Sequence, residues 1–382
     1  MASFPSSPNI LLYAAPSINA DMLWFSRFHA SDPFLAFSAN GRRIAAMSLL
    51  EVTRARKESI LDEVLNLQEL GEALVRQGAK SNLADIIAAL AVRYKVRTFR
   101  VPPDFPVSLY QQITALGLHL EIGDAPFFPQ RILKGPGEQA NIRAGNRAAS
   151  AGFSAVEQIL AASEIRQGFV WHGGKVLTSE LLRAAIDQTC LAHGALNVSG
   201  LIAAAGDQAV DCHCSGSGPI PANALIVVDI FPRMSASGYY GDMTRTYLKG
   251  RASAAQRRIV KTVREAQRLA LSLIKPGVVG ASIHKAVAAY FEAQGYATGL
   301  NPANGYHEGF FHGLGHGLGL DVHEERSLSP RGTKVLRAGM VTTVEPGLYY
   351  LGLGGCRIED VALVTETGHQ LLSKHPYRWE IA

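Results

Sequence analysis

The chain has 382 residues, 47% of them hydrophobic and 18% charged, with a formal net charge of +5 and a pI near 9.0. That length accommodates two domains at ~150 residues each, and the composition excludes a disordered or fibrous chain. The basic excess is scattered: Arg54-Ala55-Arg56-Lys57 and Gln256-Arg257-Arg258 read as solvated helix faces, so no stripe for nucleic acid is present.

Ile10 to Ala14 reads as a first strand. The apolar patch there has no positive residue before it, so no secretory signal is expected. Two apolar runs flank Asn40-Gly41 between Pro33 and Met47, which is a hairpin signal. Leu61 to Gln77 and Asn82 to Tyr94 carry helical periodicity, and TFRVP and LHLEI read as short strands. These elements make a small α/β domain, expected over residues 1–130, that serves as scaffold or oligomer contact. The Gly-containing stretch RILKGPGEQANIRAGNRAASAGF then enters a helix, with a boundary near Lys134. In a second domain over 131–382, helices are expected at 137–163, 176–193, 253–274 and 280–294. They alternate with the antiparallel-looking strands LIVVDI, TRTYLKG, MVTTVE and CRIEDVALVT. The paired helix–strand runs suggest two related halves in an α+β domain.

Four cysteines, Cys190, Cys212, Cys214 and Cys356, lack the paired spacing of a structural zinc site and fit a reducing cytoplasm. Cys212 and Cys214 are expected as small strand residues. No apolar run reaches the ~18 residues of a membrane span.

Several acids close or open β-rich apolar runs. Asp229 ends LIVVD, Asp242 precedes MTRTYLKG, Glu345 ends MVTTVE ahead of Pro346-Gly347, and Glu359 sits in CRIED before VALVT. One acid at a strand end is unremarkable. Four, each in an apolar setting where an unpaired carboxylate is costly, call for a cation to balance them. Phe311 to Glu325 (FHGLGHGLGLDVHEE) adds three of the chain's 12 histidines, His312, His316 and His323. Its glycines make it a poor helix, and it lacks strand alternation. Glycine does permit close approach of backbone to a crowded centre. Carboxylates with an imidazole suit a pair of divalent ions of the Mn, Mg or Co type.

HGLGHGLGLDVHE, together with Asp229, GYYGDMTRT, VEPGLYY and GCRIED in that order, resembles the pita-bread metallopeptidases. The proline-specific branch, Xaa-Pro aminopeptidase and Xaa-Pro dipeptidase, is the nearest form. The resemblance implies an α+β chain: a C-terminal pita-bread (creatinase/aminopeptidase-like) catalytic domain behind a smaller N-terminal α/β creatinase-like domain. It implies the metal ligands Asp229, Asp242, His316, Glu345 and Glu359 for two divalent ions, with Mn first and Co or Zn as alternatives. It also implies that Glu345 carries a proton and that His323 and His213 act at the scissile region. His312 would line the proline pocket, and Arg357 would stand behind a ligand or bind the substrate carboxylate. The expected substrate is a peptide with proline second, and the expected form a cytoplasmic homodimer without nucleic-acid or membrane partners.

Two departures stand out. Asp242 follows Asp229 by 13 residues, two more than the family pattern, with the extra length in FPRMSASG; and DCHCSGSG surrounds His213 where a PHY-like form is usual. His284 reads as a packing histidine and His307 as a loop histidine, while Tyr349 and Tyr350 are expected to pack. A methionine-aminopeptidase-like peptidase, a metal-free creatinase-like hydrolase and a catalytically inactive binding protein of the same fold remain as alternatives.

Overall fold

A computed structural model describes residues 9–324 and 327–382. The chain divides into two compact units, Met1–Arg131 and Ile132–Ala382.

In the first unit a four-stranded sheet runs in the order Leu11–Ala14, Phe34–Ala39, Arg42–Met47, Glu63–Asn66. The Asn40-Gly41 hairpin forms as expected, with φ of 51° and 75° at the two turn residues, the left-handed pair that matches strand twist. Alternate residues feed two cores. Leu35, Phe37 and Ile44 pack on one face, and Phe34, Ala36 and Ala45 on the other. The helix expected from Leu61 begins only at Leu67, and Glu63–Asn66 is a strand parallel to Ile44–Met47. Tertiary pairing overrides a local helical pattern here, and Asn66 caps the helix through a 3.0 Å bond from the Gln68 amide.

The second unit holds two layers of helices over strands. In the first, helices Pro136–Ala161 and Ser179–Ala192 cover strands Ile202–Ala205, Ile226–Ile230 and Met243–Lys249. In the second, helices Ala254–Leu273 and Gly280–Ala293 cover strands Val341–Val344 and Asp360–Val364. The helix Ala254–Leu273 shows why. Ile259, Val263, Ala266 and Ala270 make one buried stripe, and Ser253 and Gln256 form a reciprocal cap.

Three expectations need correction. A three-stranded antiparallel sheet of Glu164–Arg166, Phe169–His172 and Lys175–Val176 precedes the second helix, which starts at Ser179. CRIEDVALVT is two strands, Gly354–Arg357 and Asp360–Val364, with Ile358 and Glu359 at the break. Cys212 and Cys214 lie in a turn, closed by the Cys214 amide on the Asp211 carbonyl at 3.0 Å, and not on a strand.

Candidate metal centre

The strand ends of the two layers converge on one cluster. Asp229 lies on the 226–230 strand opposite Thr244, and Asp242 directly precedes the 243–249 strand. Asp242 is fixed from behind by the first long helix, where Asn146 Oδ1 accepts its amide at 2.9 Å. This contact depends on Gly145 and Gly241, whose backbones touch so closely that a Cβ on either would collide with the other. The longer loop ahead of Asp242 folds into a small turn, Met234 to Tyr239, closed by a bridge between Arg233 and Tyr240.

From the second half of the unit come His316, Glu345 and Glu359. The glycines of HGLGHGLG let this segment pair on both sides through isolated bridges, Gly315 to Leu328 and Gly317 to Thr342 of the strand Val341–Val344. A Cβ at Gly315 would collide with the Thr343 carbonyl. His316 is pinned to Thr343 by its own amide and by the Thr343 amide, at 3.0 and 2.8 Å. Glu359 is set by its amide on the Thr244 carbonyl at 3.0 Å and by the Thr244 hydroxyl, which donates to Oε2 at 2.8 Å.

Donor atoms of Asp242, His316 and Glu359 lie within 4.8 Å of one another. His316 Nε2 stands 3.6 Å from Asp242 Oδ2 and 3.4 Å from Glu345 Oε1. Its Nδ1 faces the Gly317 carbonyl at 3.1 Å. A carbonyl only accepts, so Nδ1 carries the proton and Nε2 turns a lone pair to the carboxylates. Asp229 Oδ2 takes Arg357 Nη2 at 2.7 Å, while Oδ1 is buried with no partner among the described residues.

The electrostatics fit a cation. Burial, followed by the charges of Asp229 and Glu345, pushes the Asp242 carboxyl well up. Burial and then Asp242 do the same to Glu359. Burial chiefly drives Glu345 up to about 7. Burial holds His316 neutral by lowering its pKa. Acids that resist ionisation beside a neutral imidazole and an orphaned carboxylate oxygen form a donor set that divalent cations complete.

The other expected residues surround this cluster. The His323 ring is 4.3 Å from the His316 ring, edge to face, and is exposed on its outer side. His312 Nδ1 donates to the Gly313 carbonyl at 2.7 Å, so its Nε2 accepts from the Tyr349 hydroxyl at 2.9 Å. Burial and the Arg357 charge press the His312 imidazole down to about 3, and it stays neutral. His213 is exposed, in the turn after Asp211, with its amide on Asp211 Oδ1 at 3.2 Å. Arg357, expected behind a ligand or on a substrate carboxylate, is 3% exposed and directs its donors to Asp229, Tyr349 and Thr244.

Sequence reasoning passed over three supports. Tyr349 does pack, but its hydroxyl also links His312 to Arg357 and so to Asp229. Gly347 and Gly355 make room for its ring, and that glycine-rich hairpin is the signal that marks it. Arg245 is buried behind Glu359, donating to the Glu359 carbonyl at 2.7 Å and to Asp360 Oδ1 at 2.9 Å. Lys134 forms a buried ion pair with Glu324, the neighbour of His323.

The model of metallopeptidase family M24 matches residues 140–366. The chain belongs to metallopeptidase family M24. This M24 chain is 37% identical over 150 residues to a Xaa-Pro dipeptidase of Pyrococcus furiosus, covering 39% of the chain and 40% of the relative. It is 40% identical over 139 residues to an uncharacterized peptidase of Bacillus subtilis, covering 36% of each. The chain thus spans about two fifths of the length of these curated relatives. Among solved structures, an X-Pro aminopeptidase from Thermotoga maritima superposes with a TM-score of 0.81 at 24% identity, over 99% of this chain and 98% of that one. The prolidase from Pyrococcus furiosus gives 0.77 at 24% identity, over 97% of both chains. At that identity the likeness shows the fold, which is the pita-bread fold with its N-terminal α/β unit.

Proposed function

We propose that this M24 chain hydrolyses the peptide bond before a proline at the second position of a peptide. The observation that carries the reading is the buried convergence of Asp242, His316 and Glu359, with Glu345 beside His316 and Asp229 at the edge. The relatives named for Xaa-Pro cleavage supply the substrate class. Asp229, Asp242, His316, Glu345 and Glu359 would hold two divalent ions, manganese first, since four of the five donors are carboxylates. Bound there, the ions would supply water activation and polarisation of the scissile carbonyl.

The chain's own groups do the rest. Glu345 Oε1, steadied by the Thr343 hydroxyl at 3.1 Å, holds the proton taken from water and returns it to the proline nitrogen. His323 and His213 hold the developing oxyanion and orient the substrate. Proline has no N–H and a fixed ring, so its pocket works by shape. His312 serves that purpose, because Tyr349 occupies its Nε2 and leaves the ring to make contact. Arg357 positions Asp229. A homodimer in a reducing cytoplasm, with all four thiols free, completes the reading. Among the described residues no helix is long and apolar enough to cross a membrane.

The test is cleavage of Ala-Pro and Ala-Pro-Ala-Ala by metal-stripped enzyme with Mn²⁺ or Co²⁺ restored, read by mass spectrometry. Release of alanine from either supports the proposal: the dipeptide alone marks a dipeptidase, the longer peptide an aminopeptidase. Bound metal without cleavage of either overturns it in favour of a binding protein or of a methionine-specific peptidase.

A further inference from the structure

A cavity of about 430 Å³ lies behind the strand that leads to Glu359, between the helix Ala254–Leu273 and the C-terminal segment. That volume falls within the range of small-molecule sites. Its wall is a cationic stripe: Arg257, Lys261, Arg264 and Arg268 follow one another at steps of four, three and four, on the helix face opposite the buried one. Like charges at such steps destabilise a helix. Arg378 adds a fifth cation from the facing segment, and Arg245 forms part of the floor.

Two carboxylates line the cavity, and both are engaged. Glu380 takes Arg257. Glu265 accepts from the Tyr290 hydroxyl at 2.8 Å and stands 3.9 Å from Lys261. Arg264, Arg268 and Arg378 have no carboxylate at salt-bridge distance among the described residues. Two of the lining residues, Arg245 and Arg264, each bury an Nε donor that has no hydrogen-bond partner among the described residues. Buried N–H groups in native proteins are almost always satisfied, so each needs an explanation. The same two guanidinium groups stand 4.5 and 4.6 Å from the centre of the Tyr377 ring. Tyr377 thus gathers two of the cations that line the cavity, and the half-buried Trp379 lines it as well.

We propose that this cavity binds a small anion bearing two or more phosphate groups, held by Arg264, Arg268 and Arg378. Guanidinium forks match phosphate oxygens bidentately, and three cations without acids call for more than one negative charge. Trp379 offers a face on which an attached ring could stack. None of the candidate metal ligands lines this cavity, although Arg245, Thr246 and Ile358 stand between the two sites.

Calorimetric titration of the full-length protein with inorganic pyrophosphate and with ATP tests this, run on metal-loaded and chelator-treated samples. The chelated arm matters because polyphosphates also bind divalent ions. Saturable binding is expected in both arms. Arg264→Ala and the exposed Arg268→Glu should each weaken it at least about 10-fold, while His316→Ala leaves it unchanged. Circular dichroism of Arg268→Glu excludes misfolding as the cause. ATP binding more tightly than pyrophosphate, with the gain lost in Trp379→Leu, identifies a nucleotide; equal affinities identify free polyphosphate. The proposal is overturned if neither ligand saturates, if binding disappears on chelation or in His316→Ala, or if it survives both arginine substitutions. It is equally overturned if only an RNA oligomer or an acidic peptide binds at the stripe.

Discussion

At the scale of single residues, the candidate centre depends on groups that never touch a metal. Tyr349 is the clearest. Its hydroxyl donates to His312 Nε2 and accepts from Arg357 Nη1, both at 2.9 Å, so one oxygen sets the tautomer of His312 and the orientation of the arginine behind Asp229. Tyr349→Phe keeps the ring and removes that oxygen. Supports of this kind around metal ligands are worth about 10–100-fold in activity or affinity. The expected outcome is a loss of kcat/KM in that range with metal content unchanged by atomic absorption. Wild-type kinetics in the phenylalanine variant would mean that Gly313 holds His312, and Asp229 and Thr244 hold Arg357, adequately without Tyr349. His316→Ala is a different kind of change. It removes a donor rather than a support, so it should lower metal stoichiometry and cost more activity than Tyr349→Phe.

At the scale of elements, the segment carrying His323 is anchored by the Lys134–Glu324 pair, whose side chains are 2% and 8% exposed. Glu324 also accepts the Leu320 amide at 3.1 Å, so the pair closes the turn on which His323 rides. Removing one partner of a buried pair leaves an uncompensated charge and costs roughly 3–5 kcal/mol. Lys134→Met should therefore lower Tm by several degrees. A Lys134→Met/Glu324→Leu double variant should recover much of that loss without recovering turnover, because His323 stays unanchored; parallel recovery of Tm and turnover would assign the pair to stability alone. This pair also shows what a sequence reveals and what it hides. The acids are legible because Asp229 and Glu345 each close an apolar strand, and the helices because their apolar stripes are long. Lys134 and Glu324 are 190 positions apart, and nothing local links them. Arg245 and Asp360, 115 positions apart, are hidden in the same way. The strand Glu63–Asn66 was masked by the apolar spacing of its neighbours, since its identity comes from a partner strand and not from its own pattern. HGLGHGLG belongs to no regular element, because its bonds are isolated bridges that only the folded strands supply.

At the scale of the whole molecule, a cluster of buried acids ties folding to both metal and pH. In metal-free protein Asp242, Glu345 and Glu359 all have raised pKa values, with Glu345 at about 7 against an ordinary 4.5. The folded state then binds more protons than the unfolded state across that interval, so stability is fullest below pH 4.5 and declines as pH rises towards 7. For Glu345 alone the span is on the order of 3 kcal/mol. Histidines oppose this trend. Burial lowers His284, His312 and His316 below 6.5, so their contribution is present above that pH and lost as pH falls. The comparison that isolates the acids is therefore metal-stripped wild type against stripped Glu345→Gln, followed by thermal melts from pH 5 to 8. The wild type should lose more Tm than the variant over that range. Metal binding displaces the protons these carboxyls hold, so added Mn²⁺ should raise the wild-type Tm, with a gain that grows as pH rises and competing protons disappear. A Mn²⁺ gain independent of pH, or identical melts for wild type and variant, would mean that the cluster is already ionised without metal. Arg357, the buried cation beside Asp229, would then be sufficient to neutralise it.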